Sequence, residues 1–130
     1  MVDGDTVVVA GVGTVRYLGI DTPELHPPRH PVERYVARAA VLSRTLVSGR
    51  TVTLETDVEE RDAYGRLLAY VYVDGRMVNA RLVAEGAAEA FPFPPNTRHR
   101  TLFARLQRDA TAAGRGQWGR AEGGPPWGAP

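Results

Sequence analysis

Short β-rich runs punctuated by tight Gly, Pro and Asp turns, with amphipathic helical segments set between and after them, predict an α+β fold. Thr6 to Ala10 is the first apolar run and Thr14 to Ile20 the second, joined by Gly11-Val12-Gly13 into a hairpin whose second strand carries Arg16. Leu25 to Pro31 holds Pro27, Pro28 and Pro31, which cannot continue a helix, so an extended loop is expected there. Tyr35, Ala39, Leu42 and Leu46 then recur at helical spacing, with Ser48-Gly49 as the stop. Thr51 to Glu55 alternates like a half-buried strand. Leu67 to Val73 is a continuous apolar and aromatic run, which Asp74-Gly75 turns into Arg76 to Val78. Asn79 is expected to cap a short helix that Gly86 ends. Pro94-Pro95-Asn96-Thr97 precedes a further amphipathic helix with Leu102, Leu106 and Ala110 on one face. From Gly114 to Pro130 the Gly and Pro content predicts mostly tail, with Trp118 packing back on the domain.

At 130 residues the chain fits one domain with a real core. It has no cysteine, which excludes disulfides and thiolate zinc sites. No apolar run is long enough to span a bilayer, so no membrane partner is expected. A formal charge of +1 is too small to attract a polyanion globally, so any attraction must come from local clustering. All sixteen basic residues are arginine. Arginine's planar fork suits phosphate, but abundant Ala, Gly and Pro and a single Ile fit a GC-rich coding bias, the reading favoured for the composition as a whole.

Three short motifs carry chemistry. Asp3-Gly4-Asp5-Thr6 is an acidic turn, Arg16 to Glu24 reads Arg-Tyr-Leu-Gly-Ile-Asp-Thr-Pro-Glu, and Asp62-Ala63-Tyr64-Gly65-Arg66 sets a second guanidinium beside a ring. Hydrolysing a phosphodiester needs positive charge around an anionic phosphorus and a base for the water. Calcium takes oxygen ligands in flexible geometry, so Asp5, Asp21 and the Thr22 backbone carbonyl suit it, and stricter magnesium ranks second. Each residue also has a plainer reading. The aspartates can be turn residues, Glu24 a solvated charge, Arg16 an ordinary arginine on a strand's solvent face, and Arg66 a hairpin decoration. Those readings do not explain why two acids, a base and two arginines occur together. His26 and His30, among prolines, are read as solvent-facing, and neither they nor His99 as catalytic.

From Val2 to Trp118 these motifs, in order and at similar separations, resemble the staphylococcal nuclease (thermonuclease) family. The resemblance implies a five-stranded OB-type barrel with about three helices packed on it, spanning 1–118, and a flexible Gly/Pro-rich tail over 119–130. It also implies that Asp5, Asp21 and Thr22 hold calcium, that Arg16 and Arg66 contact the scissile phosphate, and that Glu24 activates the attacking water. Products would be a 5′-hydroxyl and a 3′-phosphate. Tyr64, Phe91 and Phe93 would border the nucleotide. The expected partner is DNA, RNA or both, single strands preferred because a shallow surface reaches unstacked bases, acted on by a monomer. The alternative is a non-catalytic nucleic-acid-binding or scaffold module on the same fold, which fold alone does not exclude.

Four positions depart from the family pattern. Ala63 replaces a lysine, Phe91 and Phe93 replace tyrosines, so rings can stack but not donate an O–H bond, and Arg38 lies near the start of a helix where an acid is usual. Resemblance also implies a secreted or cell-envelope location. Only Met1 and Val2 precede the acidic turn, whereas strands commonly run about five or six residues, so further strand upstream is expected.

Overall fold

The structure is a computed structural model that describes residues 4–22 and 33–119, with residues 33–37 described by backbone only. Its strands are β1 (Thr6–Val9), β2 (Gly13–Tyr17), β3 (Ile20–Asp21), β4 (Thr53–Glu55), β5 (Leu67–Val73), β6 (Arg76–Met77) and β7 (Glu89–Ala90). The helices are α1 (Glu33–Val47), α2 (Val78–Ala84) and α3 (Arg100–Ala113), followed by a 3₁₀ turn at Gly116–Trp118.

The continuous apolar run becomes β5, the strand on which the others assemble. β2 lies parallel to its first half, Val15 opposite Leu67 and Tyr17 opposite Ala69. β4 and β6 pair antiparallel along its second half. β1 pairs antiparallel with β2, which completes a mixed five-stranded sheet. Leu68, Ala69, Tyr70 and Val71 are all buried, which is why β5 shows no alternation of apolar and polar residues. Its neighbours in the core are Val15, Tyr17, Leu18 and Ile20 from the hairpin side, Leu82 and Val83 of α2, and Phe103 of α3. The fold class is α+β, as the patterning predicts.

The second apolar run is not one strand. β2 ends at Tyr17, the chain turns through Leu18-Gly19, and β3 leaves to pair with β7, Asp21 opposite Glu89. Gly19 has φ +80°, and a Cβ there would lie 2.3 Å from Phe103 Cε2, so the corner needs a glycine twice over. Bending here carries Asp21 away from the sheet and towards Asp5.

Asn79 does not cap α2, which begins at Val78 after Met77 without a side-chain cap. Its amide is fully buried, accepting from the Val71 N–H at 2.8 Å and donating to the Leu18 carbonyl at 2.9 Å. It therefore ties the β2–β3 corner to β5 through the core. After α3 the chain folds back, with the Gln117 N–H donating to the Gly86 carbonyl at 3.0 Å.

Asn79→Ala leaves a backbone donor of β5 and an acceptor of the corner without this partner. Each buried orphan costs about 1–3 kcal/mol. Urea unfolding is expected to show a loss of at least that size, and a loss below about 0.5 kcal/mol, the usual range for surface changes, would mean that water replaces the amide.

Candidate active site

Asp5 sits in the turn before β1, almost wholly buried. Its carbonyl accepts the Tyr17 N–H at 2.9 Å, which closes the hairpin below it. Its carboxylate accepts the Thr6 hydroxyl at 3.2 Å and, more distantly, the Thr22 N–H at 3.4 Å. Gly4 brings this turn against α1, since a Cβ there would lie 2.8 Å from Ala39 Cβ. The acidic turn is thus clamped between a helix and a strand.

Arg16 is not on a solvent face. It is 8% exposed because the corner and the Phe93 ring cover the side of β2 that points away from the core. Nη1 donates to the carbonyls of Tyr17 at 2.6 Å and Ile20 at 3.0 Å, the residues that flank the Leu18-Gly19 turn. Nη2 lies 3.4 Å from Asp5 Oδ2 and 3.4 Å from Asp21 Oδ1. The guanidinium carbon stands 5.0 Å from the Phe93 ring centroid, within cation–π range. Thr22 is buried beside these groups, and its hydroxyl has no hydrogen-bond partner among the described residues.

Arg66 approaches from the other motif. Asp62 builds its loop by accepting the N–H groups of Tyr64 and Arg66, each at 2.9 Å, and Arg66 Nε at 2.7 Å. Burial alone would raise the Asp62 carboxyl, but these bonds hold it below the usual carboxylate range. The Arg66 guanidinium lies 5.7 Å from the Tyr64 ring, which is 86% exposed and open to a ligand. Ala63 is exposed in the same loop. Glu24 lies outside the described residues.

Phe93 packs edge-on against Phe91 with centroids 5.1 Å apart, and Phe91 is half exposed. The Phe91 N–H donates to the Gly19 carbonyl at 2.8 Å, which fixes this wall to the corner beside Arg16. The loop behind Phe93 is stapled to the exit of β4. Asn96 exchanges hydrogen bonds with the Glu59 backbone at 2.7 and 2.9 Å. Arg98 reaches Glu55 at 2.9 Å, and its N–H donates to Asp57 at 3.0 Å. Glu55 also accepts Tyr72 at 2.7 Å and lies 3.1 Å from His99 Nε2, while Asp57 accepts Tyr70 at 2.8 Å. His99 also packs edge-on against Tyr70, with ring centroids 4.5 Å apart.

Asp5, Arg16, Asp21 and Thr22 are therefore brought together, with the Phe93 ring against Arg16 and Phe91 beside that ring. Asp62, Asn96, Glu55, Asp57 and Arg98 are positioning residues that sequence reasoning missed. Asp62 alone left a signal, as an Asp two residues ahead of the N–H it accepts in a turn. The two carboxylates meet at Arg16 Nη2, and carboxylate oxygens are the ligands a hard cation takes. Among the described residues no group of three acidic or histidine side chains is placed to share an ion.

A sequence model described as "Staphylococcal nuclease homologue" matches residues 14–120. The chain belongs to this family. It is 39% identical over 113 residues to the thermonuclease of Staphylococcus intermedius, covering 85% of this chain and 67% of that protein. It is 42% identical over 124 residues to the SPbeta prophage-derived endonuclease YokF of Bacillus subtilis, covering 92% of this chain and 42% of that protein. Endonuclease YncB of the same species is 40% identical over 125 residues, covering 92% and 59%. Family membership makes the chain a nuclease-type hydrolase and accounts for the mixed sheet and three helices.

The staple behind Phe93 gives the site an acid limit. Burial alone would raise Glu55 and Asp57, yet hydrogen bonds from Tyr72, His99 and Arg98 to Glu55, and from Arg98 and Tyr70 to Asp57, hold both below their ordinary values of 4.5 and 3.8. A depressed carboxylate stabilises the fold above its unfolded pKa, and that contribution is lost as pH falls through the folded value. Stability by urea is expected to drop between about pH 5 and pH 3, and Glu55→Gln to flatten that drop. An unchanged pH profile for the variant would remove Glu55 from the staple's titration.

Proposed function

We propose that the chain is a cation-dependent phosphodiesterase that hydrolyses DNA, RNA or both, acting as a monomer. The carrying observation is charge balance. Three carboxylates, Asp5, Asp21 and Asp62, stand against two guanidiniums, Arg16 and Arg66, so these groups by themselves carry excess negative charge. A bound cation would offset that excess, and Asp5, Asp21 and the Thr22 carbonyl offer the oxygens that calcium takes, with magnesium second.

A bound cation would polarise a phosphoryl oxygen and orient a water. The residues do the rest. Arg16 has Nη1 committed to two carbonyls, which fixes the plane of the fork and aims Nη2 out of the corner. Nη2 can then meet a phosphate oxygen once Asp5 and Asp21 have another counter-charge. Arg66 meets the phosphate from the opposite motif, held at Nε by Asp62 and, among the described residues, with no hydrogen-bond partner at its two Nη groups. One well-aimed donor of this kind is worth about 2.7–4 kcal/mol in the transition state. Glu24 takes the proton of the attacking water, worth roughly 10² to 10⁴ in rate, and the bond to the 5′-oxygen breaks, leaving a 3′-phosphate. Phe91 and Tyr64 stack on or border the nucleotides, which favours single strands. An exported or cell-envelope location belongs to the same proposal, by likeness to the staphylococcal thermonucleases.

Digestion of plasmid DNA and of RNA with calcium, with magnesium and with chelator tests the reading. Cleavage is expected with calcium and abolished by chelator, and Asp21→Asn should lose calcium binding by calorimetry together with activity. Nucleic-acid binding without cleavage under every condition would support the scaffold alternative instead.

Glu24→Gln should lower kcat by roughly 10² to 10⁴ and leave calcium and nucleotide affinity nearly unchanged. Wild-type turnover by that variant would show that another group is the base.

A further inference from the structure

Most exposed arginines of the described residues are engaged, as Arg50 is with Asp74, Arg81 with Glu85 and Arg98 with Glu55. Five have neither an ion pair nor a side-chain hydrogen bond among the described residues: Arg44, Arg76, Arg100, Arg105 and Arg108. Three of the five belong to α3. At 3.6 residues per turn they fall within about 140° of arc, Arg105 and Arg108 on the side away from buried Phe103 and Ala110, and Arg100 at the edge nearer Phe103. Asp109 is the single acid of that helix and is itself exposed. A row of unpaired like charges on one helix face repels itself and gains from an anionic partner.

The row also continues the site. Arg100 walls a small cleft together with Phe91, Pro92 and Thr97. Phe91 touches Phe93 edge-on, and Phe93 lies under the Arg16 guanidinium. A strand whose base stacks on Phe91 thus has Arg100 next along its path, and Arg105 and Arg108 extend the basic face by about 12 Å along the helix axis.

We infer that the outer face of α3 is a second nucleic-acid contact, where Arg100, Arg105 and Arg108 hold phosphates of a single strand beyond the nucleotides at Phe91. This rests on the nuclease reading above. It makes the enzyme length-selective: long strands gain three ionic contacts that a dinucleotide does not reach.

The test compares wild type with Arg100→Gln/Arg105→Gln/Arg108→Gln, since Gln nearly matches Arg in helix preference and these positions are exposed. KM and kcat are measured with calcium on a dinucleotide and on a single strand of about 24 nucleotides, long enough for site and helix together, over a salt series. Each phosphate contact on a single strand contributes about 0.7 to the slope of log affinity against log salt. The triple variant is expected to lose about 2 from that slope on the long strand, with a raised KM, while its dinucleotide kinetics match wild type. Arg44→Gln/Arg76→Gln, which removes unpaired arginines from other elements, is expected to keep the wild-type slope. An unchanged slope in the triple variant, or an equal loss in the control, overturns the α3 track and leaves the nuclease intact. Loss of binding to anionic vesicles with an unchanged slope also overturns it and assigns the face to a membrane surface. Wild type that cleaves neither substrate overturns the nuclease reading and the track with it.

Discussion

Everything at the site hangs on one buried guanidinium. Arg16 uses Nη1 to gather the carbonyls on either side of the Leu18-Gly19 corner and Nη2 to meet one carboxylate from the turn before β1 and one from β3. A charge this deeply buried is tolerated only when paired and hydrogen-bonded, and here both conditions are met, by two carboxylates and two carbonyls. Arginine is required chemically, because a lysine ammonium lacks the rigid fork that can serve two carbonyls on one prong and two acids on the other. The same contacts that hold Arg16 therefore set the separation of Asp5 and Asp21.

That arrangement makes the corner a functional element and not just a connection. Were β2 to run on straight through Ile20, Asp21 would stay in the sheet and could not face Asp5. The bend is imposed by Gly19 against Phe103, by the Asn79 amide on the Leu18 carbonyl, and by β7, which takes β3 as a partner and then carries Phe91 and Phe93 back over Arg16. Core packing and site geometry share these residues, so substitutions in the core beneath the corner shift Asp21 relative to Asp5.

The class of fold and the longer elements were legible because they follow from periodicity. The buried run at Leu67 to Val73 is the central strand, and the leucine and alanine spacings of α1 and α3 match their inward faces. The break at Leu18-Gly19 was not legible, since Thr14 to Ile20 reads as unbroken strand until tertiary contacts bend it. Two-residue strands such as β3 and β7 leave no periodicity at all. Asn79 misled because Asn before a helical stretch is a capping signal, and only the buried environment of Val71 and Leu18 shows what the amide does instead. Among the candidate site residues, the motif aspartates and arginines were readable as types in a known order. Arg16's burial was not, because strand alternation assigns one face to solvent and has no knowledge of a loop some 75 residues later that covers it.

The two halves of the site differ in how they are held, and this bears on which can respond to a ligand. Asp5, Arg16 and Asp21 are locked by backbone groups of the core, where few alternatives exist. Arg66 and Tyr64 stand on a turn organised by a single carboxylate, Asp62, with Tyr64 almost wholly in solvent. Asp62 holds Arg66 at Nε alone, whereas Arg16 is held at Nη1 by two carbonyls and at Nη2 by two carboxylates. The corner is thus held from many sides and the Asp62 turn from one, so of the two halves it is the turn that can shift without disturbing the core.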